Sequence, residues 1–128
     1  MHILSFDFGT KKIGIAVGNT ETKTASPLKV VFNKKNKTNW DEIKNTIDEW
    51  KPRILIIGKP LNMDGTESDI MANVENFRKR LMRLSNLSCE YVDERLTTFE
   101  AKEILQNSEI KKVDSYAAKI LIDNWFNK

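Results

Sequence analysis

Alternating apolar and polar positions predict strands near the start of the chain. Residues 2–8 alternate in this way, residues 12–18 form a second apolar segment, and the short glycine-containing sequence Gly9-Thr10-Lys11 joins them. Two such segments joined by a short glycine-containing turn are typical of a β-hairpin. Three further strands are predicted at residues 28–32, 53–58 and 89–92.

Helical periodicity follows the third strand. Thr38 or Asn39 can cap a helix whose apolar positions recur up to Trp50, and Lys51-Pro52 ends it. Three more helices are predicted: one over residues 68–84, one opened by the Thr97–Glu100 capping box, and one opened by Asp114-Ser115. The order β-β-β-α-β-α-β-α-α indicates an α/β fold with a mixed sheet covered by helices.

Length and composition favour a single globular domain spanning residues 1–128. Hydrophobic residues make up 40% of the chain and charged residues 30%, and no apolar run approaches the ~20 residues of a membrane span. The N-terminus lacks a basic segment ahead of its apolar residues, and Cys89 has no partner for an internal disulfide. We therefore expect a cytoplasmic protein without a signal peptide. The net charge of +3 favours a polyanionic partner.

Candidate chemistry lies where the predicted strands end. In open α/β sheets, ligands bind beyond the carboxyl ends of parallel strands. Asp7 ends the first strand, Lys59 follows the fourth, and Asp93-Glu94-Arg95 follows the fifth. Asp7 has two interpretations: it can bind a metal, or it can cap the Gly9-Thr10 turn through backbone N–H groups.

The spacing of these strand ends is compatible with a two-metal site. If the fourth strand lies between the first and the fifth, Asp7 and the Asp93-Glu94 pair are two strand spacings apart, roughly 9–10 Å. Two metal ions ~3.5–4 Å apart, with carboxylate ligands on both sides, span a similar distance. Asp114 is by default a helix N-cap, and it can bind metal only if its helix end faces the same edge. Four basic residues flank the carboxylates and have the charge to hold phosphates: Lys11, Lys12, Lys59 and Arg95.

Four segments, spread in the same order along nearly the whole chain, resemble the YqgF (RuvX) family of ribonuclease H-like nucleases. They are residues 6–16, 58–68, 93–101 and 113–118. The resemblance implies a five-stranded mixed sheet of order 3-2-1-4-5, with strand 2 antiparallel and helices on both faces. Two positions depart from the family pattern, since Lys12 stands where arginine is common and Lys59 where an apolar residue is frequent.

The resemblance also implies a hydrolase that cleaves phosphodiester bonds with Mg²⁺ or Mn²⁺ in a two-metal site. The active-site acids of the family correspond to Asp7, Glu94 and Asp114. For Asp114, the resemblance therefore favours metal binding over a role limited to capping the helix. Substrate contacts are expected from Lys11, Lys12, Lys59 and Arg95, and from Asn62 in the turn-rich loop after the fourth strand.

The sequence leaves the substrate and the oligomeric state open. Precursor 16S rRNA, cut near its 5′ end during ribosome biogenesis, and a four-way DNA junction both present phosphates to such a site. The protein can act as a monomer or as a homodimer. Two other classes remain: a non-catalytic nucleic-acid-binding or ribosome-assembly factor, and a nucleotide-binding phosphotransferase. The phosphotransferase class is considered because Asp7 to Thr10 resembles the first phosphate loop of actin-like ATPases. Those proteins bind the nucleotide between two domains of this kind, and this chain is long enough for one.

Overall fold

Five strands and three helices make up the part of the chain that the structure, a computed structural model, describes: residues 1–35, 37–60, 68–93 and 113–127. In chain order they are β1 (His2–Asp7), β2 (Lys12–Asn19), β3 (Thr24–Phe32), α1 (Trp40–Trp50), β4 (Ile54–Lys59), α2 (Met71–Ser85), β5 (Cys89–Asp93) and α3 (Val113–Phe126). The helix predicted to open at Thr97 lies outside the described residues. Within them, no helix has the length and apolar character needed to span a membrane.

The five strands form one sheet in the order β3-β2-β1-β4-β5. β2 is antiparallel to both of its neighbours, β1 and β3, whereas β1, β4 and β5 run parallel. Both the strand order and the antiparallel second strand are therefore confirmed. β4 lies between β1 and β5, so the carboxyl ends of these three strands meet at one edge of the sheet.

The tight turn between β1 and β2 depends on Gly9. A Cβ atom at this position would lie 2.6 Å from the carbonyl oxygen of Lys12, closer than real Cβ atoms approach a backbone atom. Only glycine fits there without a shift of the backbone. The hairpin therefore holds Lys11 and Lys12 at a fixed place beside the end of β1.

β3 is longer than its apolar pattern predicts. It begins at Thr24, and Pro27 lies within it. The register moves from the pair Ile15–Lys29 to the pair Ala16–Pro27, so the ladder is irregular at this point. Proline cannot donate a ladder hydrogen bond and is tolerated at bulges and on edge strands, and β3 is an edge strand.

The ends of the helices follow the predicted capping residues. The Asn39 side chain accepts a hydrogen bond of 3.2 Å from the Glu42 backbone N–H at the start of α1. Lys51, in the left-handed conformation, ends this helix directly before Pro52. Asn86 ends α2 in the same conformation. The helix predicted to open at Asp114-Ser115 is present as α3, and its residues Ala118, Leu121 and Ile122 are buried.

The helices cover the sheet on two sides, which produces two apolar layers. One layer lies between the sheet and α1 and α2, and contains Leu4, Phe6 and Phe77. The other lies between the sheet and α3, and contains Ile3, Ile56 and Leu121. Consecutive residues of β1 thus face opposite layers, as strand geometry requires. Each side chain at the sheet edge can therefore be assigned to one face.

Candidate active site

Asp7 ends β1 on the face of the sheet that α3 covers. Ile3 belongs to the apolar layer under α3. Ser5, two residues further along, donates a hydrogen bond of 2.5 Å from its hydroxyl to the Ala118 carbonyl on that helix. Asp7 follows at the next position of the same alternation and is half-buried. Its carboxylate therefore lies at the edge of the interface between β1 and α3.

The two strands beside Asp7 carry glycine at its level. Asp7 is paired in register with Gly14 on β2. On β4 the register pairs Phe6 with Ile57, so the residue that follows Ile57, Gly58, lies next to Asp7. Neither neighbour has a side chain to occupy the space beside the carboxylate. The strands on either side of Asp7 therefore contribute no side chain at its level.

The helix α3 runs antiparallel to β1 and begins at the Asp7 end. A Cβ atom at Gly18, which pairs with Ile3, would meet the Ile122 side chain at 2.7 Å. Ala118 contacts Ser5, one turn nearer the start of the helix. Two residues of a strand and four residues of a helix each advance roughly 6–7 Å. The first turn of α3, which includes Asp114, therefore begins at the level of Asp7.

β5 brings a second acidic segment to the same edge. Its last residue, Asp93, pairs in register with Lys59 at the end of β4. Glu94 and Arg95 come next in the sequence and lie outside the described residues, as does Asn62. The side chain of Asp114 is also outside the described part of the chain. The order β1-β4-β5 does separate the ends of β1 and β5 by two strand spacings, as the two-metal interpretation requires.

The basic residues predicted to contact substrate divide between the two faces. Lys12 is exposed and lies on the Asp7 face, because the neighbouring Ile13 faces the layer under α1 and α2. Lys59 lies on the opposite face, with its ammonium group 5.7 Å from the centre of the Tyr91 ring. Lys11 is exposed in the hairpin turn. Of these three lysines, Lys12 shares the face of Asp7 and Lys59 does not.

A network that the sequence analysis did not identify anchors β5 to α2. The Tyr91 hydroxyl donates a hydrogen bond to the Glu75 carboxylate, and Arg78 lies 4.6 Å from the centre of the Tyr91 ring. The Arg78 guanidinium also donates a 2.8 Å hydrogen bond to the Cys89 carbonyl. Burial and the bond to Glu75 raise the pKa of Tyr91 to about 12. The network holds the strand that leads to Asp93.

Cys89 belongs to the apolar layer between the sheet and the helices α1 and α2. The side chain is buried at the start of β5. Burial raises the pKa of its thiol from 9.0 to about 12. A thiol in this state is protonated near neutral pH and is a poor nucleophile. Burial and the raised pKa both make this thiol a poor candidate for the nucleophile of the site.

The oxygen donors at this edge match a hard divalent cation. Mg²⁺ binds carboxylate oxygens and retains water molecules, so it needs few protein ligands and some open space. Asp7 places one carboxylate at this edge, and its neighbours Gly14 and Gly58 carry no side chain. No group of three or more potential metal-binding side chains occurs within residues 1–35, 37–60, 68–93 and 113–127. A site with the predicted ligands also requires Glu94 and Asp114.

Comparisons with solved structures agree with this fold. Solved structures with similar folds include RuvC of Thermus thermophilus, with a TM-score of 0.63 at 10% identity, covering 99% of this chain and 95% of that chain. Another is the fowlpox virus Holliday junction resolvase, with a TM-score of 0.60 at 16% identity, covering 99% of each. The fold is thus that of the ribonuclease H-like proteins.

A family model described as "RuvX: Holliday junction resolvase" matches residues 1–128, and the chain belongs to this family. A relative from Mannheimia succiniciproducens is 44% identical, with 98% of this chain and 94% of the relative covered. A relative from Saccharophagus degradans is 41% identical, with 98% and 93% covered. Both relatives carry the name "Putative pre-16S rRNA nuclease".

Proposed function

We propose that this protein is a divalent-metal-dependent endonuclease that hydrolyses phosphodiester bonds in structured nucleic acid. Its proposed substrate is precursor 16S rRNA, cut near the 5′ end in the cytoplasm. The observation that carries the proposal is the position of Asp7. It ends β1 between two glycines, at the edge where β5 leads to Glu94 and where the first turn of α3 contains Asp114.

Asp7, Glu94 and Asp114 are the proposed metal ligands. They would hold Mg²⁺ or Mn²⁺, which supplies Lewis-acid stabilisation of the phosphate and lowers the pKa of bound water. Lys11 and Lys12 would hold the substrate backbone through its phosphates, because the hairpin fixes both residues beside Asp7. Contacts of this kind depend on backbone geometry and carry no direct base information.

The proposed reaction is hydrolysis with a 5′-phosphate product. Water attacks phosphorus, the bond from phosphorus to the 3′ oxygen breaks, and the departing oxygen takes a proton to become a 3′ hydroxyl. The half-buried Asp7 supplies a fixed negative charge at the end of a strand that is buried over its central residues. A group held rigidly in this way keeps its orientation during the reaction.

Precursor rRNA is preferred as substrate because of the relatives that match the chain over nearly its full length. Relatives at 41–44% identity are named for that activity. The family description instead names Holliday junction resolution, which makes this the second candidate. A resolvase must cut two strands at symmetric positions, and this requires a symmetric dimer.

A cleavage assay on two end-labelled substrates separates these candidates. A precursor 16S rRNA fragment and a four-way DNA junction are incubated with the protein and with Mg²⁺ or Mn²⁺, and the ends of the products are mapped. We expect cleavage of the RNA near the mature 5′ end, with 5′ phosphates. Paired symmetric cuts in the junction alone would favour the resolvase. Tight binding without cleavage of either substrate would contradict an enzymatic function.

A further inference from the structure

An aromatic side chain is exposed at the sheet edge that carries Asp7. Phe32, the last residue of β3, is 63% exposed. It pairs in register with Lys12 on β2. Its neighbour Val31 is buried in the layer under α1 and α2, so Phe32 projects from the opposite face, which it shares with Asp7 and Lys12.

The turn after Phe32 displays three exposed lysines. Lys34 and Lys37 form reciprocal backbone hydrogen bonds of 3.0 and 2.9 Å. Lys35, between them, has a positive φ of 51°. This tight turn holds the three lysine backbones at fixed positions. Three exposed lysines therefore follow the exposed ring within five residues of the chain.

Asn33 joins this basic turn to the hairpin beside Asp7. Its backbone N–H donates a 2.9 Å hydrogen bond to the Lys11 carbonyl. Its side-chain amide donates a second bond, also of 2.9 Å, to the Thr10 carbonyl. The turn and the hairpin are therefore one continuous rim at the carboxyl end of the sheet.

We propose that Phe32 and the lysines Lys34, Lys35 and Lys37 form a binding subsite for an unpaired nucleotide that flanks the cleavage site. The subsite rests on the proposed nuclease function and extends it to a preference in substrate structure. An exposed ring stacks on bases of any sequence, and lysines beside it bind the phosphates of the same strand.

The position of the subsite fits a strand that extends away from Asp7. β3 is two strands from β1, and Phe32 pairs with Lys12, two residues along β2 from Gly14, the partner of Asp7. The two spacings together place Phe32 roughly 12 Å from Asp7. This distance corresponds to about three to four nucleotides at the ~3.4 Å rise of a helical strand. Bases in a duplex are already stacked, so an exposed ring favours substrates with an unpaired segment at that distance.

The test uses an RNA hairpin with and without an unpaired flank, bound by Phe32→Ala, Phe32→Trp and the parent protein. All three carry Asp7→Asn, so that binding is measured without cleavage. We expect Phe32→Ala to weaken binding of the flanked hairpin by roughly 5- to 150-fold, the range measured for loss of one stacked base. We expect Phe32→Ala to bind the hairpin without the flank as tightly as the parent protein does. Phe32→Trp should bind both hairpins as the parent does. Equal effects on both hairpins would overturn the proposal.

A second set of variants separates charge from stacking. One triple variant carries Lys34→Gln, Lys35→Gln and Lys37→Gln. Its control carries Lys23→Gln, Lys51→Gln and Arg53→Gln, at the opposite end of the sheet, and both triples reduce the net charge equally. We expect the first triple to lower the slope of log K against log salt by about 2, because each phosphate contact with a single strand contributes ~0.7. Equal slopes for the two triples would overturn the proposal.

Three further outcomes identify which claim fails. If the parent protein binds neither hairpin and wild type cuts no nucleic acid, the proposed function itself is wrong. If wild type cuts RNA while Phe32→Ala binds both hairpins normally, only the subsite is wrong. Loss of a dimer in Phe32→Ala, measured by sedimentation, with equal weakening on both hairpins, would assign Phe32 to an interface between two copies of this chain.

Discussion

The hydroxyl of Ser5 on β1 donates a 2.5 Å hydrogen bond to the backbone carbonyl of Ala118 on α3. Both residues are fully buried. The bond connects the strand that ends in Asp7 to the helix whose first turn includes Asp114. Two segments more than 100 residues apart in sequence are thereby held in one alignment at the candidate site.

Removal of this hydroxyl should destabilise the protein modestly. Ser5→Ala loses one buried hydrogen bond, for which about 1 kcal/mol of unfolding free energy is expected. The Ala118 carbonyl keeps its position within α3, so the loss stays near this value. Urea denaturation measures the change. Ser26→Ala, at an exposed position of β3, is the control and should change stability by less than about 0.5 kcal/mol.

Close packing of α3 on β2 predicts a larger effect at Gly18. A Cβ atom there would lie 2.7 Å from Ile122 Cγ2. Gly18→Ala should therefore cost about 1–3 kcal/mol, as overpacking of a core does. If this contact is the cause, Gly18→Ala combined with Ile122→Ala should cost less than the sum of the two single variants. Strict additivity in the denaturation data would exclude the contact as the cause.

Alkaline pH should weaken the attachment of β5 to α2. Tyr91 has an ordinary pKa of 10.0 when unfolded and about 12 when folded. Its contribution to stability is complete below pH 10 and decreases as the pH rises towards 12, because only the unfolded chain loses the proton in that range. Tyr91→Phe should show a smaller decrease over this interval. Tyr116→Phe, on α3, should retain the decrease of the wild type.

The buried thiol of Cys89 should not react in the folded protein. Its pKa of about 12 leaves almost no thiolate near neutral pH, and the side chain is buried. We expect Ellman's reagent to label it only in denaturant and expect treatment with N-ethylmaleimide to leave nuclease activity unchanged. Rapid labelling of the native protein with loss of activity would show that the cysteine takes part in function.

The order of strands and helices along the chain was predictable because each segment carried its own signal, whereas the order of the strands in the sheet was implied by the resemblance to the YqgF (RuvX) family. Gly9 marked the hairpin, and Lys51-Pro52 marked the end of α1. The length of β3 was not predictable from its sequence. A proline such as Pro27 normally ends a strand, but here the irregular pairing of an edge strand accommodates it. Local patterns report local structure, whereas this irregularity depends on the pairing partner.

The candidate site was predictable at the level of the sheet edge and less so at the level of the face. Lys59 and Lys12 both follow or flank apolar strands, and proximity in sequence suggested the same role for both. Lys59 is two residues after Ile57 on β4, so both side chains lie on the face that also carries Tyr91, opposite Asp7. The link between Glu75 and Tyr91 was not predictable, because it depends on how α2 packs on β5.

The most direct test of the central claim compares Asp7→Asn with Asp48→Asn in metal-dependent cleavage of precursor 16S rRNA. Asp48 is an exposed acid on α1 that pairs with Lys44 and has no role in the proposed site. We predict that Asp7→Asn lowers the cleavage rate by about 100-fold or more, since even partners of metal ligands contribute 10- to 100-fold. The cleavage rate of Asp48→Asn should remain close to that of wild type, and so should the melting temperatures of both variants. Equal cleavage by wild type and Asp7→Asn would contradict the account.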